Sequence, residues 1–328
     1  MATIKDVAER AGVTVTTVSR ILNNRGSISE NTRKKVYAIM EELNYQPNEL
    51  ARALFRKKSN IIGLIIPNVS HPFFAELSNY IESYAYKNGY KVLLCNSYSD
   101  IAKEKDYIDM LKRSQVDGII MGSHSLETSE YVGINLPIVT IDRILSDKIP
   151  YISSDNYHGG TLATKLLISK GCKKIAHISG LLSLNTPANK RYEAFSDVTK
   201  KLDIETTLIE IKLDTFDGYK SKIEKLFRDY PDIDGVFASS DIIGATTVIV
   251  ANSLGKKIPQ DLKIIGYDDI LNASLIVPAL TTIKQPIEEM GKLAVELIIK
   301  QIEKEEISIT REVVTPTPAN ASVPIPGI

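Results

Sequence analysis

The chain has little of what marks a secreted or membrane-spanning protein. Its 328 residues include two cysteines, Cys95 and Cys172, and no tryptophan. Two distant cysteines without a partner motif form no disulfide framework and are typical of a reducing compartment. No apolar run approaches the roughly 18 residues of a membrane span, and the first residues lack the apolar segment of a secretory signal. These absences predict a cytoplasmic protein that does not enter a membrane.

Short motifs of the common enzyme classes are also absent. The chain has no phosphate-cradling glycine loop, no dinucleotide fingerprint and no Gly-x-Ser-x-Gly nucleophile turn. Its histidines are not spaced as metal ligands; they are His71, His124, His158 and His177. We therefore expect no enzymatic activity, no cofactor and no bound metal.

Charge is balanced over the whole chain but unevenly distributed along it. Residues 1–58 hold eleven basic and six acidic residues, a net charge of +5. The remaining residues hold 29 basic and 34 acidic ones, a net charge of −5. Because phosphates attract a cationic module and repel an anionic one, this asymmetry predicts a nucleic-acid-binding module at residues 1–58.

Residues 1–46 have the pattern of three short helices. Thr3 begins the first helix with a capping signature, and Gly12 ends it in a tight turn. Thr14 caps the second helix, over 15–23, and the third helix runs over about 29–43. Two short helices around a glycine turn predict a helix-turn-helix, and hence an all-α DNA-binding headpiece.

In this motif the second helix enters the major groove, so its outward residues near the amino end meet base edges. These residues are Val15, Thr16 and Arg20, which suit a thymine methyl, a base hydrogen bond and a bidentate contact to guanine. The residues better suited to phosphate are Thr3, Thr14, Thr17, Asn23 and Ser29. The alternative is a three-helix module for protein contacts, with its basic residues merely solvated.

The headpiece resembles that of the lac/purine repressor family. The signature at residues 3–23 is Thr-Ile-Lys-Asp-Val-Ala-Glu-Arg-Ala-Gly-Val-Thr-Val-Thr-Thr-Val-Ser-Arg-Ile-Leu-Asn, and the similarity continues to about residue 310. The resemblance implies a transcription repressor that binds a palindromic operator on double-stranded DNA as a homodimer and responds to a small sugar.

Residues 47–58 predict a hinge. Pro47-Asn48 stops the preceding helix, and the next residues suit one or two helical turns, which are marginal in isolation. The resemblance implies that two such helices pair in the minor groove, where each wedges a leucine between base pairs. Ala51 and Leu54 are the expected contacts, and Leu54 takes the wedge position. The alternative is an ordinary linker whose Leu54 packs on the core.

From residue 59 apolar strand runs alternate with helices. Strands are predicted at 61–66, 91–96, 117–121, 137–141, 174–178, 208–213, 235–238 and 263–266, and helices near 73–88, 101–114, 158–170, 189–201, 217–229, 241–254 and 286–303. Such alternation predicts doubly wound parallel sheets in two lobes. The resemblance is to the type I periplasmic-binding-protein fold, with an amino lobe of about 60–156 and 286–306 and a carboxyl lobe of about 157–285 and 307–328.

Ligands of open α/β sheets sit beyond the carboxyl ends of the strands. Polar and aromatic side chains at those ends suit the hydroxyls and CH faces of a sugar. The effector-binding candidates are His71, Phe73, Phe74, Asp142, Arg143, Arg191, Asp241, Asp268 and Gln285. By resemblance, sugar-binding family members use Asp, Arg, Asp or Asn, Asp and Gln at five of these places, and Phe73-Phe74 matches a stacking element of ribose-type binders.

Several candidates have a structural alternative. Phe73 fits a core position. Asp241 and Asp268 fit caps of the segments that follow them, and Arg143 fits a salt bridge at the rim. His71 stands where relatives often carry asparagine. The experiment that separates these alternatives is substitution of each residue.

Two other functions share parts of this pattern. A sugar-transport binding protein has the same two lobes. Such a protein has to be exported, however, and it has no DNA-binding headpiece. A global catabolite regulator, corepressed by a phosphorylated carrier protein, has by resemblance an Arg-Leu pair on the helix after the last crossover. The matching residues are Glu296-Leu297, and a glutamate there repels a phosphoserine. A sugar that releases the repressor is therefore the favoured prediction.

The proline-rich tail bears on assembly. Tetramers in the family use a leucine heptad tail, whereas residues 315–327 contain four prolines and cannot form a coiled coil. Because one headpiece covers too little DNA for specificity, the expected state is a homodimer.

Overall fold

A computed structural model describes residues 2–47, 58–122, 134–146, 149–183, 186–202, 204–212, 216–305 and 311–319. The chain divides into two compact units, Met1–Asn60 and Ile61–Ile328. The predicted minor-groove residues Ala51 and Leu54 lie outside the described residues, as does His124. Among the helices that are described, none is both long enough and apolar enough to cross a bilayer.

Residues 2–47 form three short helices, as the sequence predicts. They are α1 (Ile4–Ala11), α2 (Val15–Leu22) and α3 (Glu30–Glu42). Thr3, Thr14 and Ser29 cap them, each side-chain oxygen accepting from a backbone amide of the first turn. Gly12 follows α1 with a φ of 65°, a conformation that favours glycine. The turn between α1 and α2 is therefore set by local chemistry.

The inward faces of these helices meet in one apolar cluster. Its fully buried members are Val7, Ala8, Ala11, Val18, Ile21, Val36 and Ile39. Each helix contributes residues spaced three or four apart, the spacing of one helical face. The opposite faces are left to solvent, and these carry the basic residues of the unit.

The second unit alternates strands and helices. The strands are β1 (Ile61–Ile66), β2 (Lys91–Asn96), β3 (Gly118–Met121), β4 (Ile138–Ile141), β5 (Tyr151–Ser154), β6 (Lys174–Ser179), β7 (Glu205–Glu210), β8 (Gly235–Ala238), β9 (Lys263–Asp268), β10 (Thr281–Lys284), β11 (Arg311–Val314) and β12 (Thr317–Ala319). The helices are α4 (Pro72–Lys87), α5 (Ile101–Arg113), α6 (Asn156–Ser169), α7 (Lys190–Lys200), α8 (Phe216–Asp229), α9 (Asp241–Ser253), α10 (Leu271–Leu275) and α11 (Ile287–Ile302).

Within the described residues these strands form two six-stranded sheets. The first has the order β11-β5-β4-β3-β1-β2 and is parallel throughout. The second has the order β12-β10-β9-β8-β6-β7 and is parallel except for β12, which runs antiparallel to β10. Helices cover both faces, so central strands such as β3 and β8 are buried along their whole length. The predicted pair of doubly wound lobes is confirmed.

The predicted division of the lobes needs a correction at the carboxyl end. Strand β11 pairs with β5 in the first sheet, so residues 311–314 belong to the amino lobe and not to the carboxyl lobe. The chain returns to the carboxyl lobe only at β12, an edge strand that tolerates Pro318 because its outer side needs no donor. The third crossover therefore falls between residues 314 and 317.

Apart from shifts of one or two residues, five strands differ from their predictions: β7 in its bounds, and β5, β10, β11 and β12, which lie outside the predicted strand ranges. Strand β7 spans Glu205–Glu210 instead of 208–213, because a half-exposed edge strand accepts the polar residues at its start. Strand β5, Tyr151–Ser154, was not predicted at all. It has only four residues, two of them serine, and its burial comes from the neighbours β4 and β11 rather than from an apolar sequence.

A histidine lies within the core of the carboxyl lobe. His177, on β6, is 1% exposed, and its ring centroid lies 4.6 Å from that of Phe237 and 5.2 Å from that of Phe195. Burial lowers the pKa of His177 to about 3. The unfolded chain takes up this proton near the ordinary histidine pKa of about 6.5, whereas the folded chain does not.

Because of His177, the free energy of unfolding therefore falls as the pH drops below about 6.5, and the loss reaches about 2 kcal/mol at pH 5. We expect His177→Phe to escape this loss. Its free energy of unfolding, relative to that of the parent protein, should rise by the same amount between pH 7.5 and pH 5, measured by urea unfolding at each pH. The variant His158→Gln, at an exposed position on α6, is the control and should track the parent. A difference between His177→Phe and the parent that stays constant with pH would contradict the assignment.

Candidate functional site

Four predicted effector residues lie together at the carboxyl ends of the strands. Asp142 follows β4, Asp268 ends β9, Gln285 follows β10 and Arg191 lies in the first turn of α7. Asp268 is 4% and Gln285 3% exposed. Asp142 and Asp268 have φ values of 51° and 123°, which are uncommon for residues other than glycine. Such backbone strain is typical of functional positions, where surrounding contacts hold it in place.

Arg191 is the centre of this group. Its Nε donates to Oδ1 of Asn156 at 2.7 Å, and its Nη1 donates to the carbonyl oxygen of Ser239 at 2.7 Å. The guanidinium carbon lies 3.7 Å from the centroid of the Tyr267 ring. A guanidinium stacked on an aromatic face and held by two hydrogen bonds is fixed in orientation before any ligand arrives.

A chain of hydrogen bonds joins Arg191 to Asp142. The Ser153 hydroxyl donates to Oδ1 of Asp142 at 2.6 Å, and Nδ2 of Asn156 donates to Oγ of Ser153 at 3.2 Å. Asn156 also donates to the carbonyl oxygen of Ser154 at 3.0 Å. Because Asn156 begins α6, directly after the chain leaves the first sheet, it connects the residues of the two lobes.

Asp268 and Gln285 form the other half of the group. Nε2 of Gln285 donates to Oδ1 of Asp268 at 2.6 Å, and the Gln285 backbone amide donates to the Asp268 carbonyl oxygen at 3.2 Å. Oε1 of Gln285 is buried and has no hydrogen-bonding partner among the described residues. A buried acceptor without a partner is costly, so a hydroxyl of a ligand is a fitting donor for it.

Asp241 is placed behind this group and is fully buried. Its Oδ2 accepts from the backbone amide of Ile270 at 2.9 Å, and its Oδ1 accepts from the Thr282 hydroxyl at 2.5 Å. These two bonds fix the segment after β9 against β10. Asp241 therefore has a structural role, since each of its carboxylate oxygens has a partner within the protein. That role is not the predicted cap of the following helix, because Ser240 caps α9.

The carboxyl groups of this region share a low-dielectric environment. Burial raises the pKa of Asp142, and Ser153 and Arg191 oppose that rise. Burial also raises the pKa of Asp268, with Arg191 and Gln285 opposing it and Asp142 adding to it. For Asp241, burial and the charge of Asp268 raise the pKa. Loss of solvation is therefore the main cause of each rise, and the guanidinium of Arg191 does not cancel it for Asp142 and Asp268.

The aromatic candidates lie at the start of α4, on the amino lobe. Phe73 belongs to the core of the first sheet, which supports its structural alternative. Phe74 is only partly buried, and its ring centroid lies 5.1 Å from that of Phe73 and 5.7 Å from that of His71. Burial lowers the pKa of His71, and its Nδ1 has no hydrogen-bonding partner among the described residues. Arg143 is buried rather than exposed at a rim.

The predicted strands do not include β5, so the sequence analysis does not reach Ser153 and Asn156. Ser239 and Tyr267 stand at the ends of predicted strands, but no binding role is predicted for them. Asn156 lies two residues beyond β5, so the rule of strand ends applied to β5 finds it. Tyr267 reads as an ordinary core residue of β9, and nothing in the sequence indicates that Arg191 stacks on it.

The DNA-binding candidates of the headpiece lie where a helix-turn-helix needs them. Val15, Thr16 and Arg20 are exposed on α2. All the phosphate candidates but Asn23 lie at helix N-termini, where backbone amides and the helix dipole attract an anion. Thr3, Thr14 and Ser29 are N-caps, Thr17 shares a hydrogen bond of 2.9 Å with Thr14, and Asn23 follows the last turn of α2.

Comparison with known proteins agrees with this arrangement. Residues 3–48 match the model of the lacI family of bacterial regulatory proteins, and residues 59–320 match the model of periplasmic binding proteins and the sugar-binding domain of the LacI family. The ribose operon repressor of Halalkalibacterium halodurans is 42% identical over 311 residues, 95% of this chain and 93% of the relative. The sucrose operon repressor of Streptococcus mutans is 41% identical over 307 residues, 93% of this chain and 94% of the relative.

Solved structures give the same result. A periplasmic binding protein/LacI transcriptional regulator from Alkaliphilus metalliredigens, complexed with D-xylulofuranose, is 37% identical with a TM-score of 0.75 and covers 80% of this chain and 97% of its own. The lac repressor dimer bound to operator has a TM-score of 0.86 at 24% identity, over 97% and 98% of the two chains, and supports the fold. With both of its units matched, the chain belongs to the LacI family of bacterial regulatory proteins.

Proposed function

We propose that this protein represses a carbohydrate-utilisation operon, binds a palindromic operator as a homodimer and is released by a small sugar. The observation that carries the proposal is the group of Asp142, Arg191, Asp268 and Gln285 at the strand ends, in a chain that also carries a helix-turn-helix. Relatives that span nearly the whole chain are ribose and sucrose operon repressors rather than enzymes. Such a repressor works in the cytoplasm, where its operator is.

The sugar site is suited to bridging the lobes. Asp142 belongs to the amino lobe, whereas Arg191 and Asp268 belong to the carboxyl lobe, and Asn156 connects them at the first crossover. A ligand held by both sides biases their relative orientation only if it binds one orientation more tightly than another. We propose that this bias reaches the hinge segment and lowers the affinity for operator.

The catabolite regulator is not favoured by the residues at its docking position. Glu296, on α11, pairs with Lys292 at 3.8 Å, and Leu297 is 6% exposed within the core of the amino lobe. This position therefore presents a carboxylate in place of the arginine, and its leucine is not available to a partner. We expect a serine-phosphorylated carrier protein to leave operator affinity unchanged in fluorescence anisotropy.

Exposed apolar residues support the proposed dimer. On the carboxyl lobe Leu271 is 71%, Leu275 68% and Val277 85% exposed, and on edge strand β2 Leu93 and Leu94 are exposed as well. Leu271, Leu275 and Val277 lie within one short segment, and exposed apolar residues that lie together are typical of protein interfaces. We expect sedimentation equilibrium to give the mass of two chains, and a mass of four chains would contradict the proposal.

The function is tested by a sugar screen followed by an operator assay. Purified protein is mixed with D-ribose, D-xylulose, D-fructose or sucrose, and the melting temperature is measured. Any sugar that raises it is then titrated against the protein bound to a labelled operator, which is selected from random duplexes with the protein itself. We expect one sugar to stabilise the protein and to release the operator. If purines tested in the same way raise the melting temperature and none of the sugars does, the effector is not a sugar.

Asn156 gives a more specific prediction. Asn156→Ala removes the acceptor for Nε of Arg191 and the donor to Ser153, which in turn holds Asp142. Arg191 and Asp142, the side chains that face the ligand, therefore both lose part of their support. Each lost buried hydrogen bond costs about 1 kcal/mol, so we expect sugar affinity to fall about tenfold in isothermal calorimetry. Tyr157→Phe is the control, since its hydroxyl donates to Asp197 at the surface. Equal affinities of the Asn156→Ala variant and the parent would exclude the proposed role.

A further inference from the structure

The charged groups at the effector site bear on the charge of its ligand. Among the described residues, the carboxyl groups at these strand ends are Asp241 and Asp268, which are buried, and Asp142, which is partly buried; the buried guanidiniums are Arg143 and Arg191. Burial and the charge of Asp268 raise the pKa of Asp241 to about 8, so this carboxyl group is largely protonated at pH 7.5. The two remaining carboxylates balance the two guanidiniums, and an incoming phosphate group adds an uncompensated charge of about −1.5 to −2.

The available hydrogen-bonding groups of Arg191 are limited. Nε is taken by Asn156 and Nη1 by Ser239, which leaves Nη2 without a partner among the described residues. A phosphate is bound most strongly by two parallel N–H donors from one edge of a guanidinium. The Nε–H and one of the two N–H groups of Nη1 already donate to the protein, so Arg191 has fewer free donors for a phosphate than an unpaired guanidinium has.

Acceptors predominate on the opposite side. The carboxylates of Asp142 and Asp268 and Oε1 of Gln285 all accept hydrogen bonds, and that oxygen has no donor among the described residues. The raised pKa values of both carboxyl groups show that the environment already disfavours negative charge. Sugar hydroxyls donate to such acceptors, whereas a phosphate dianion has no proton to donate.

We infer that the effector site selects an unphosphorylated sugar and rejects the phosphate ester of the same sugar. The inference rests on the proposed function, because it concerns the same site. It assigns the specificity to Asp142 and Asp268, the two carboxyl groups of the site that interact electrostatically with Arg191. A regulator built in this way responds to the sugar as it is before phosphorylation commits it to metabolism.

The test compares matched pairs of ligands. D-ribose and ribose 5-phosphate, D-fructose and fructose 6-phosphate, and sucrose and sucrose 6-phosphate are titrated into the full-length protein at pH 7.5 in a calorimeter. We expect the sugar that binds to do so at least 100-fold more tightly than its ester. Asp268→Asn and Asp142→Asn should each narrow this ratio by about tenfold, because each removes one negative charge. Asp106→Asn, an exposed carboxylate on α5, should leave the ratio unchanged.

The outcomes are distinct. The inference is supported if the sugar binds more tightly than its ester and if Asp142→Asn and Asp268→Asn reduce this affinity ratio whereas Asp106→Asn does not. An ester that binds as tightly as its sugar and releases the operator overturns the inference and leaves the proposed function intact. If no sugar or ester binds and operator affinity never changes, both the proposed function and the inference are overturned.

Discussion

Asp268→Ala is expected to abolish the release of operator by sugar, while the sugar-free protein still binds operator with the affinity of the parent. The substitution removes a carboxylate that faces the ligand and leaves Nε2 of Gln285 without its acceptor at 2.6 Å. A hydrogen bond to a charged group contributes about 1.5–3 kcal/mol, and an orphaned buried donor costs about 1–3 kcal/mol more. Sugar affinity should therefore fall at least 100-fold.

The measurement is fluorescence anisotropy of labelled operator at a fixed protein concentration, with sugar titrated to saturation of the parent. Asp106→Ala serves as the control, because Asp106 is a surface carboxylate on a helix of the amino lobe. Circular dichroism at the assay temperature shows whether the Asp268→Ala variant is folded. A folded variant with a normal response to sugar would remove Asp268 from the effector site.

Arg20→Ala is expected to reduce affinity for operator far more than affinity for random DNA. Arg20 is exposed on α2, and a bidentate contact between arginine and guanine is worth about 1–3 kcal/mol of discrimination. Because a homodimer makes the contact at each half-site, the total loss is about 2–6 kcal/mol. Binding to random duplex comes mainly from phosphate contacts and should change by less than the operator affinity does.

The variant Arg10→Ala is the control that distinguishes recognition of specific bases from general electrostatic attraction to DNA. Arg10 is an exposed cation of the same headpiece whose Nη2 lies 2.5 Å from a carboxylate oxygen of Glu42. An exposed ion pair of this kind contributes little to stability, so the variant should fold normally. Its loss of one positive charge should weaken operator and random duplex alike. If Arg20→Ala behaves in the same way as Arg10→Ala, Arg20 does not read bases.

The headpiece was predictable from sequence because its structure is set locally. The cap of each helix and the left-handed Gly12 lie within a few residues of the elements that they organise. The alternation of strands and helices was equally visible, since central parallel strands are continuous apolar runs. Strand β5 escaped detection because its stability depends on partners distant in sequence, β4 and β11.

The site was predictable only in part. The rule that the ends of parallel strands meet at one edge identifies Asp142 and Asp268 and needs only the strand boundaries. Gln285 is identified by the resemblance to sugar-binding family members, since no strand is predicted before it. The supporting contacts required coordinates: Asn156 reaches Arg191 over 35 residues of sequence, and Tyr267 contacts it from β9, with four elements between them along the chain. Phe73 and Asp241 show the limit of the rule, since the residues at a strand end also serve the core and the neighbouring loop.

The most direct test of the central claim compares four affinities of the full-length protein at one salt concentration, for selected operator and for random duplex, each with and without the sugar that raises the melting temperature. We predict operator binding at least about 10³-fold tighter than random binding without sugar, a ratio typical of specific regulators. With saturating sugar, the dissociation constant for operator should approach the dissociation constant for random duplex. Four equal dissociation constants would contradict the account.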